Sequence, residues 1–396
     1  MRLKQAKTPR YSKAFGGLFG VVWLLFLSLS ASKADDVFQT KAYSLKLVTV
    51  ATGLANPWSI AFLPNGDALV TERAGRLRLI EKTENPENPY QLTSDAIAGL
   101  PAVAAHGQGG LLDIALHPNF AENRWLYLSF VDETDAGFTT RLMRAKYQDN
   151  ALQNVEMLFE ALPRSRAGQH FGGRLHFDKQ GDLYLSIGDR GERNRAQDGL
   201  DHAGSIIRLH DDGQIPTDNP FVGDSRVLDA IYSTGHRNPQ GMAIHPDTGE
   251  IWINEHGPRG GDEINRIEAG ANYGWPLATF GVNYIGTKIT DNPELPGMVS
   301  PLLQWTPSIA PSGMIFYTGD AFPEWQGQLL NGALAHRLIS RVAVVEADDG
   351  YELTEIERLL SEFNQRIRDI RQSPDGALWL LTDERRGGVY QIQRVD

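Results

Sequence analysis

Ile60-Ala61-Phe62-Leu63-Pro64-Asn65-Gly66, running on into Ala68-Leu69-Val70, is a short apolar strand, a Pro/Asn/Gly turn and a second apolar strand. The same phrase returns five times. Ile114-Ala115-Leu116-His117-Pro118 leads into Trp125-Leu126-Tyr127-Leu128, and Leu175-His176-Phe177-Asp178 passes through Gly181 into Leu183-Tyr184-Leu185. Met242-Ala243-Ile244-His245-Pro246 reaches Ile251-Trp252-Ile253 through Gly249, and Met314-Ile315-Phe316-Tyr317 reaches Leu329-Leu330 through Gly327. The last copy joins Ile370 to Leu378-Trp379-Leu380 through Pro374-Asp375-Gly376. The copies recur roughly every 50 to 80 residues, the span of one four-stranded antiparallel sheet with its loops. Six of them predict an all-β fold, a six-bladed β-propeller of four-stranded antiparallel blades. Helical periodicity is scarce, and 40 Gly and 21 Pro supply the turns. A β-sandwich, or two smaller β domains, is the competing architecture, but no Pro-, Ser- or Gly-rich linker divides the chain. Segments 281–300 and 317–326 read as face loops.

Arg2, Lys4, Lys7, Arg10 and Lys13 precede an apolar run from Phe15 to Leu29, which ends in Ser32-Lys33-Ala34. That is the pattern of a cleaved signal peptide. Residues 1–34 are assigned to export and 35–396 to a single propeller domain, periplasmic or secreted, with no stable membrane insertion after cleavage. An uncleaved anchor is the alternative, since about 18 apolar residues just span a bilayer. The segment holds six of the 38 basic residues and none of the 49 acidic ones, leaving 32 against 49. So acidic a body disfavours nucleic acid and anionic membrane surfaces as partners. The absence of cysteine excludes disulfides, thiolate nucleophiles, iron–sulfur clusters and thiolate zinc sites. Chemistry must come from His, carboxylates, Arg or a cofactor.

The residues just before each hairpin are polar or conformationally special: Asn56-Pro57-Trp58, His106-Gly107-Gln108-Gly109-Gly110, Gln169-His170-Phe171-Gly172-Gly173, His236-Arg237-Asn238-Pro239-Gln240, Ala310-Pro311-Ser312-Gly313 and Arg366-Ile367-Arg368-Asp369. Equivalent positions in a propeller form one ring. If the hairpins are the inner parts of the blades, Gln108, His170, Arg237, Asn238, Arg366 and Arg368 meet at the mouth of the central channel. Three arginines there suit a multiply anionic ligand. Arg366 and Arg368 could instead pair with Asp369 and Asp383, and His106 and His236 could be surface residues. Asn254-Glu255-His256-Gly257-Pro258-Arg259-Gly260-Gly261-Asp262-Glu263, followed by Asn272-Tyr273-Gly274-Trp275-Pro276, offers closely spaced carboxylates and free carbonyls of the kind calcium takes. A solvated acidic loop is the alternative there. No zinc-protease, nucleophile-elbow or phosphate-loop motif occurs.

Taken in order, Gly107-Gln108-Gly109-Gly110-Leu111-Leu112, Gly235-His236-Arg237-Asn238-Pro239-Gln240-Gly241, the 255–263 segment and Asn272-Tyr273-Gly274-Trp275-Pro276 resemble the soluble PQQ-dependent glucose/aldose sugar dehydrogenase family (sorbosone dehydrogenase-like quinoproteins). The resemblance spans nearly the whole chain after the signal. It implies that aldose sugars are oxidised at C1 to the lactone with PQQ and calcium as cofactors, and that an unidentified acceptor takes the electrons. His170 would be the general base, and Arg237 and Asn238 would face the quinone oxygens beside Gln108. Arg366 and Arg368 would clamp the PQQ carboxylates. The carbonyls of Gly257 and Pro258 would hold one calcium, and Glu263 and Tyr273 a further structural one. Three positions depart from the family pattern. Ala335 stands where a lysine is common, with His336 or Arg337 as replacement contacts. Gln169 replaces an acidic residue before His170, and Ser205 replaces a lysine. A gluconolactonase-type propeller hydrolase, with carboxylates in place of arginines on the axis, and a non-catalytic binding module are the competing functions.

Overall fold

All six repeated phrases form hairpins, and the hairpins point inward. A computed structural model describes residues 36–395 except 349; residues 1–34, expected to form a cleaved signal, lie outside the described residues. The first blade is built from Pro57–Phe62, Ala68–Glu72, Arg76–Lys82 and Tyr90–Ala96, and the second from Leu111–Leu116, Trp125–Thr134, Gly137–Gln148 and Ala151–Glu160. Leu175–Phe177, Leu183–Ile187, Ser205–Leu209 and Ile231–Ser233 make the third; Pro239–Ile244, Ile251–Glu255, Asp262–Arg266 and Leu303–Trp305 the fourth. The fifth comprises Pro311–Phe316, Leu329–Ala333, Ile339–Ala347 and Gly350–Leu359. Each is a four-stranded antiparallel sheet in chain order. The sixth departs from four strands: Ile367–Gln372, Leu378–Thr382 and Gly387–Arg394 are completed by Ser44–Leu54, and Val37–Gln39 adds a fifth strand outside it. Among the described residues, α-helix is confined to Phe120–Asn123. None of the described helices is long and apolar enough to cross a membrane.

Burial explains why the hairpins stand out in the sequence. A blade is packed on both faces by its neighbours, so its second strand needs apolar residues on both sides and loses strict alternation. Ala68–Glu72, Leu183–Ile187, Ile251–Glu255, Leu329–Ala333 and Leu378–Thr382 are buried at every position. Outer strands such as Tyr90–Ala96 are largely exposed and carry little pattern. Each seam between blades is one apolar cluster. Leu69, Leu77 and Leu79 of the first blade meet Leu126, Leu128 and Met143 of the second, and Trp379 and Leu381 of the sixth close on Ile60 and Val70 of the first.

The axis itself is polar. Asp113, which is fully buried, accepts from Ser59 Oγ (2.5 Å), Arg371 Nη2 (2.9 Å), Arg174 Nη1 (3.3 Å) and the Leu175 amide (2.8 Å). Asp369 completes the knot with Arg371 (2.9 Å) and Arg174 (3.2 Å). Two guanidinium groups and two carboxylates from three blades thus neutralise one another where the inner strands converge. Gly313 makes room for it: a Cβ there would stand 1.9 Å from Asp369 Oδ1. Burial opposes the charge on Asp113, but Arg174 and Arg371 hold its carboxyl below the usual range. Removing one partner strands buried charge, so Asp113→Ala is expected to cost about 3–5 kcal/mol. Urea unfolding checks this against the exposed Asp348→Ala, expected to change stability by under about 0.5 kcal/mol.

Candidate active site

Above that knot the channel opens into a cavity of about 460 Å³, and segments from all six blades line it. Asn56, Trp58 and Arg73 come from the first blade, Gln108 and Leu112 from the second and the segment leading into it, Phe171 and Gly172 from the segment leading into the third. Asn238, Gln240 and His256 come from the fourth, Ala310, Leu334 and Ala335 from the fifth, Arg366, Arg368 and Asp383 from the sixth. Of the ring expected before the hairpins, Gln108, Asn238, Arg366 and Arg368 line this cavity, whereas His170 and Arg237 do not. Its walls carry three arginines against one aspartate. Arg366 (3.3 Å) and Arg368 (2.8 Å) both reach Asp383 Oδ2; burial opposes its charge, but Arg368 and Arg366 hold its carboxyl far below the usual range. Arg368 also donates to Gln240 Oε1 (3.0 Å), while its buried Nε has no partner. Flat and apolar surface comes from Trp58, Leu112, Phe171 and Leu334.

His170 sits beside this cavity in the left-handed region at φ 52°, a conformation that costs strain for a non-glycine residue. Its amide donates to Gln108 Oε1 (2.9 Å), and Nδ1 meets Asp189 Oδ1 at 2.6 Å. Gly172 permits the turn that follows, because a Cβ there would lie 2.5 Å from the Ser186 carbonyl. With Nδ1 assigned as donor to the carboxylate, Nε2 keeps its lone pair in the neutral ring. The orienting acid is therefore Asp189, 19 residues downstream; the residue before the histidine, Gln169, does not fill that place. Asp189 also accepts from Trp275 Nε1 (2.8 Å) and the Gly191 amide (2.6 Å). Burial would raise its carboxyl, but His170 and Arg237 bring it below the usual range.

Arg237 lies next door, against a smaller pocket shared with Glu255, Gly257, Glu263, Tyr273 and Trp275. Its Nη1 donates to the carbonyls of Gly257 (2.7 Å) and His256 (3.0 Å), and its ring neighbour is Trp275, 5.3 Å away. Asn238 accepts from the Gly172 amide (3.3 Å) and Gln240 Nε2 (3.3 Å). His256 is a neutral prop: burial first and Arg237 next push it down to about 3, and its Nε2 donates to the Pro311 carbonyl (2.7 Å). His236 is buried, not superficial, bonded to Glu255 (2.9 Å) and stacked on Tyr273.

Other residues fall outside the cavity. His336 is exposed, and Arg337 bonds Asn364 Oδ1 (2.7 Å); Ala335 alone of that trio lines the wall. Ser205 is buried in strand register with Ile187. Pro258 lines a separate open groove with Val282, Tyr284 and Pro307. The Tyr273 hydroxyl is turned to the Arg266 carbonyl (2.5 Å). Glu263 and Glu255 both bind the Asn265 amide (3.2 Å each). Burial, then the facing Glu255, pushes Glu263 up to about 8.

Fold and site define an enzyme of the six-bladed propeller class, with a cationic axial cavity and a carboxylate-oriented histidine at its edge. Residues 54–391 match the glucose/sorbosone dehydrogenase family model, and the chain belongs to that family of oxidoreductases. It is 43% identical over 348 residues to the aldose sugar dehydrogenase YliI of Escherichia coli (strain K12), covering 86% of this chain and 90% of the relative. The crystal structure of the soluble aldose sugar dehydrogenase from Escherichia coli in the apo-form matches with a TM-score of 0.83 at 41% identity, over 89% of this chain and 100% of that one. The PQQ-bound form of aldose sugar dehydrogenase from Streptomyces coelicolor matches with a TM-score of 0.68 at 28% identity, over 88% and 98%.

Because the folded pKa of Glu263 lies above its ordinary 4.5, the folded state binds the extra proton between those values. Its contribution is intact below about pH 4.5 and lost as pH rises toward 8. In chelator, denaturant midpoints are expected to fall across that window, and Glu263→Gln to flatten the fall. An unchanged slope in the variant would contradict the assignment.

Proposed function

We propose that the chain oxidises aldose sugars at C1 to the lactone, using PQQ seated in the axial cavity and passing electrons to an acceptor outside the cytoplasm, in the periplasm or after secretion. The observation that carries this reading is the His170–Asp189 pair at the edge of a cavity whose wall holds Arg73, Arg366 and Arg368 against Asp383 alone. A flat tricarboxylate fits that wall: cationic groups at one side, Trp58, Leu112 and Phe171 as apolar faces, and a buried Arg368 Nε left without a partner. PQQ bound there supplies the two-electron acceptor for the hydrogen leaving C1. His170 Nε2 takes the proton of the anomeric hydroxyl. Asp189 fixes the ring and stabilises the imidazolium that results. Gln108 holds the His170 backbone from across the seam, and Asn238 ties Gly172 to Gln240, so both edges of the site are preorganised. A lactonase-type hydrolase would want carboxylates around the axis; the single wall carboxylate, Asp383, is already paired with two arginines.

Calcium divides into two cases. A site on the Gly257 and Pro258 carbonyls does not fit this geometry, since Gly257 accepts from the Arg237 guanidinium and Pro258 lines another groove. No step is derived through it. Glu263 fits better: it faces Glu255 in a buried pocket, and a hard cation would relieve the repulsion that raises its pKa. The Tyr273 hydroxyl being engaged, only its backbone carbonyl is left to contribute.

Reconstitution with PQQ, followed by sugar, is expected to reduce the bound quinone and an added dye. No cofactor binding and no dye reduction would sink the reading. Asp189→Asn is expected to lower kcat by ~10²–10⁴-fold with cofactor affinity unchanged. Added calcium is expected to raise the melting temperature at pH 8 in the wild type and not in Glu263→Gln.

A further inference from the structure

Arg174, Arg190, Arg237, Arg341 and Arg368 are the buried arginines among the described residues. Arg174, Arg341 and Arg368 each hold a carboxylate. The side chains of Arg190 and Arg237 bond only to carbonyls, and both residues adjoin Asp189, the orienting acid of His170. Arg190 follows it in the chain, and the Arg237 carbonyl accepts from its amide at 2.8 Å. A buried guanidinium without an acid is costly, and an apolar side chain of similar length would be the cheaper filler. Burial first and Arg195 next pull Arg190 down to about 10, which leaves it charged at neutral pH.

Its donors are spent on the turn that carries the histidine. Nε donates to the Gln169 carbonyl (3.2 Å) and Nη2 to the Ala167 carbonyl (2.5 Å), while Nη1 reaches the Phe138 carbonyl on the second blade (3.0 Å). The Arg190 amide donates to the His170 carbonyl (3.3 Å). The guanidinium carbon lies 3.7 Å from the centre of the Phe171 ring, which lines the axial cavity. Arg190 lines neither the cavity nor the smaller pocket beside it.

This grip coincides with backbone strain. His170 stands at φ 52° and Arg190 at φ 58°, and such conformations persist in non-glycine residues only where the surroundings over-determine them. Asp189 meets the imidazole Nδ1 at 2.6 Å, and the Gly191 amide steadies the same Asp189 oxygen at 2.6 Å. Residues 189–191 therefore set the ring of His170, and Arg190 among them sets the backbone on which that ring stands.

We propose that Arg190 is a positioning residue for the sugar oxidation, its guanidinium locking the 167–171 turn so that the His170 ring stays on Asp189. The inference rests on the proposed role of His170 as general base. A base displaced by about 1 Å loses on the order of a hundredfold in rate, so the arrangement turns a buried, acid-free charge into precision at the reacting proton.

Two variants test it. Arg190→Met keeps bulk against Phe171 and removes every side-chain donor; Arg190→Lys keeps the charge without the planar fork. Three readings are taken: kcat and KM for an aldose in the PQQ-loaded protein, the urea midpoint, and the proton resonance of His170 Nδ1–H in the cofactor-free protein, identified by its loss in His170→Gln. Arg190→Met is expected to lower kcat roughly 10- to 100-fold with KM within about twofold, Arg190→Lys to recover part of the loss, and the resonance to disappear into solvent exchange in the first and broaden in the second. Unchanged kcat and a sharp resonance in the variants overturn the proposal. So does a raised KM at unchanged kcat, or a fall in kcat with the resonance intact. Should Arg190→Met fail to fold by its urea midpoint, Arg190→Lys decides alone, wild-type kcat and a sharp resonance again counting against the proposal. If the loaded wild type does not oxidise sugar, the reading of the function fails, and the resonance in cofactor-free protein still decides whether Arg190 holds the histidine.

Discussion

Pairing of Ser44–Leu54 with Gly387–Arg394 closes the ring, and the site depends on it. From Leu45 opposite Arg394 to Leu54 opposite Gly387, the first long strand among the described residues is hydrogen-bonded to the last. Without that ladder the sixth blade would lack an outer edge and its seam with the first blade would open. Closure forces six inner strands toward one line. The charged groups at their centre are then paired, largely across blades, since an unpaired buried charge is costly. The Asp113, Arg174, Asp369 and Arg371 knot is the solution on the axis: charges balance, and three blades are pinned at one height.

The cavity follows from the same geometry one layer higher. There the first residues of the inner strands, among them Trp58, Leu112, Gln240 and Arg368, and the segments leading into them present side chains and loop backbone to a common space. Arg368 connects the layers. Its guanidinium spans Asp383 on its own blade and Gln240 of the fourth, and the Gln240 carbonyl in turn accepts from Arg174 Nε in the knot at 2.8 Å. Trp58 lies between them, with Arg174 4.2 Å and Arg368 5.7 Å from its ring. The floor of the site is thus held from below by groups that never enter it.

The blades were legible in the sequence because both strands of each inner hairpin are buried on two faces, which concentrates apolar residues around a Gly or Pro turn. The fifth strand, Val37–Gln39, was not, being three residues with two exposed. Four residues of the cavity wall, Gln108, Asn238, Arg366 and Arg368, were legible through their position around the start of each hairpin. Asp189 was missed because Gly188-Asp189-Arg190 follows the second strand of its blade, and its approach to His170 arises only when that strand folds back beside the first. The axial knot was missed for a related reason: Asp113 and Arg371 are 258 residues apart and each looks like an ordinary charge inside an apolar strand. Local pattern identifies what a strand buries. It does not reveal which distant charge is buried opposite.

Glu255 shows how the two pockets become one site. One of its oxygens accepts from the Arg237 amide (2.6 Å), the other from His236 Nδ1 (2.9 Å), so it fixes the backbone from which Arg237 and Asn238 project. On its other side it faces Glu263, whose proton or cation decides how much negative charge the small pocket holds. A proton neutralises one carboxylate of the pair, whereas a divalent cation would balance both and draw their oxygens together. The Arg237 amide is bonded to the same Glu255 carboxylate that faces Glu263. Glu255 is thus the single side chain that both positions Arg237 and faces the charge of the small pocket.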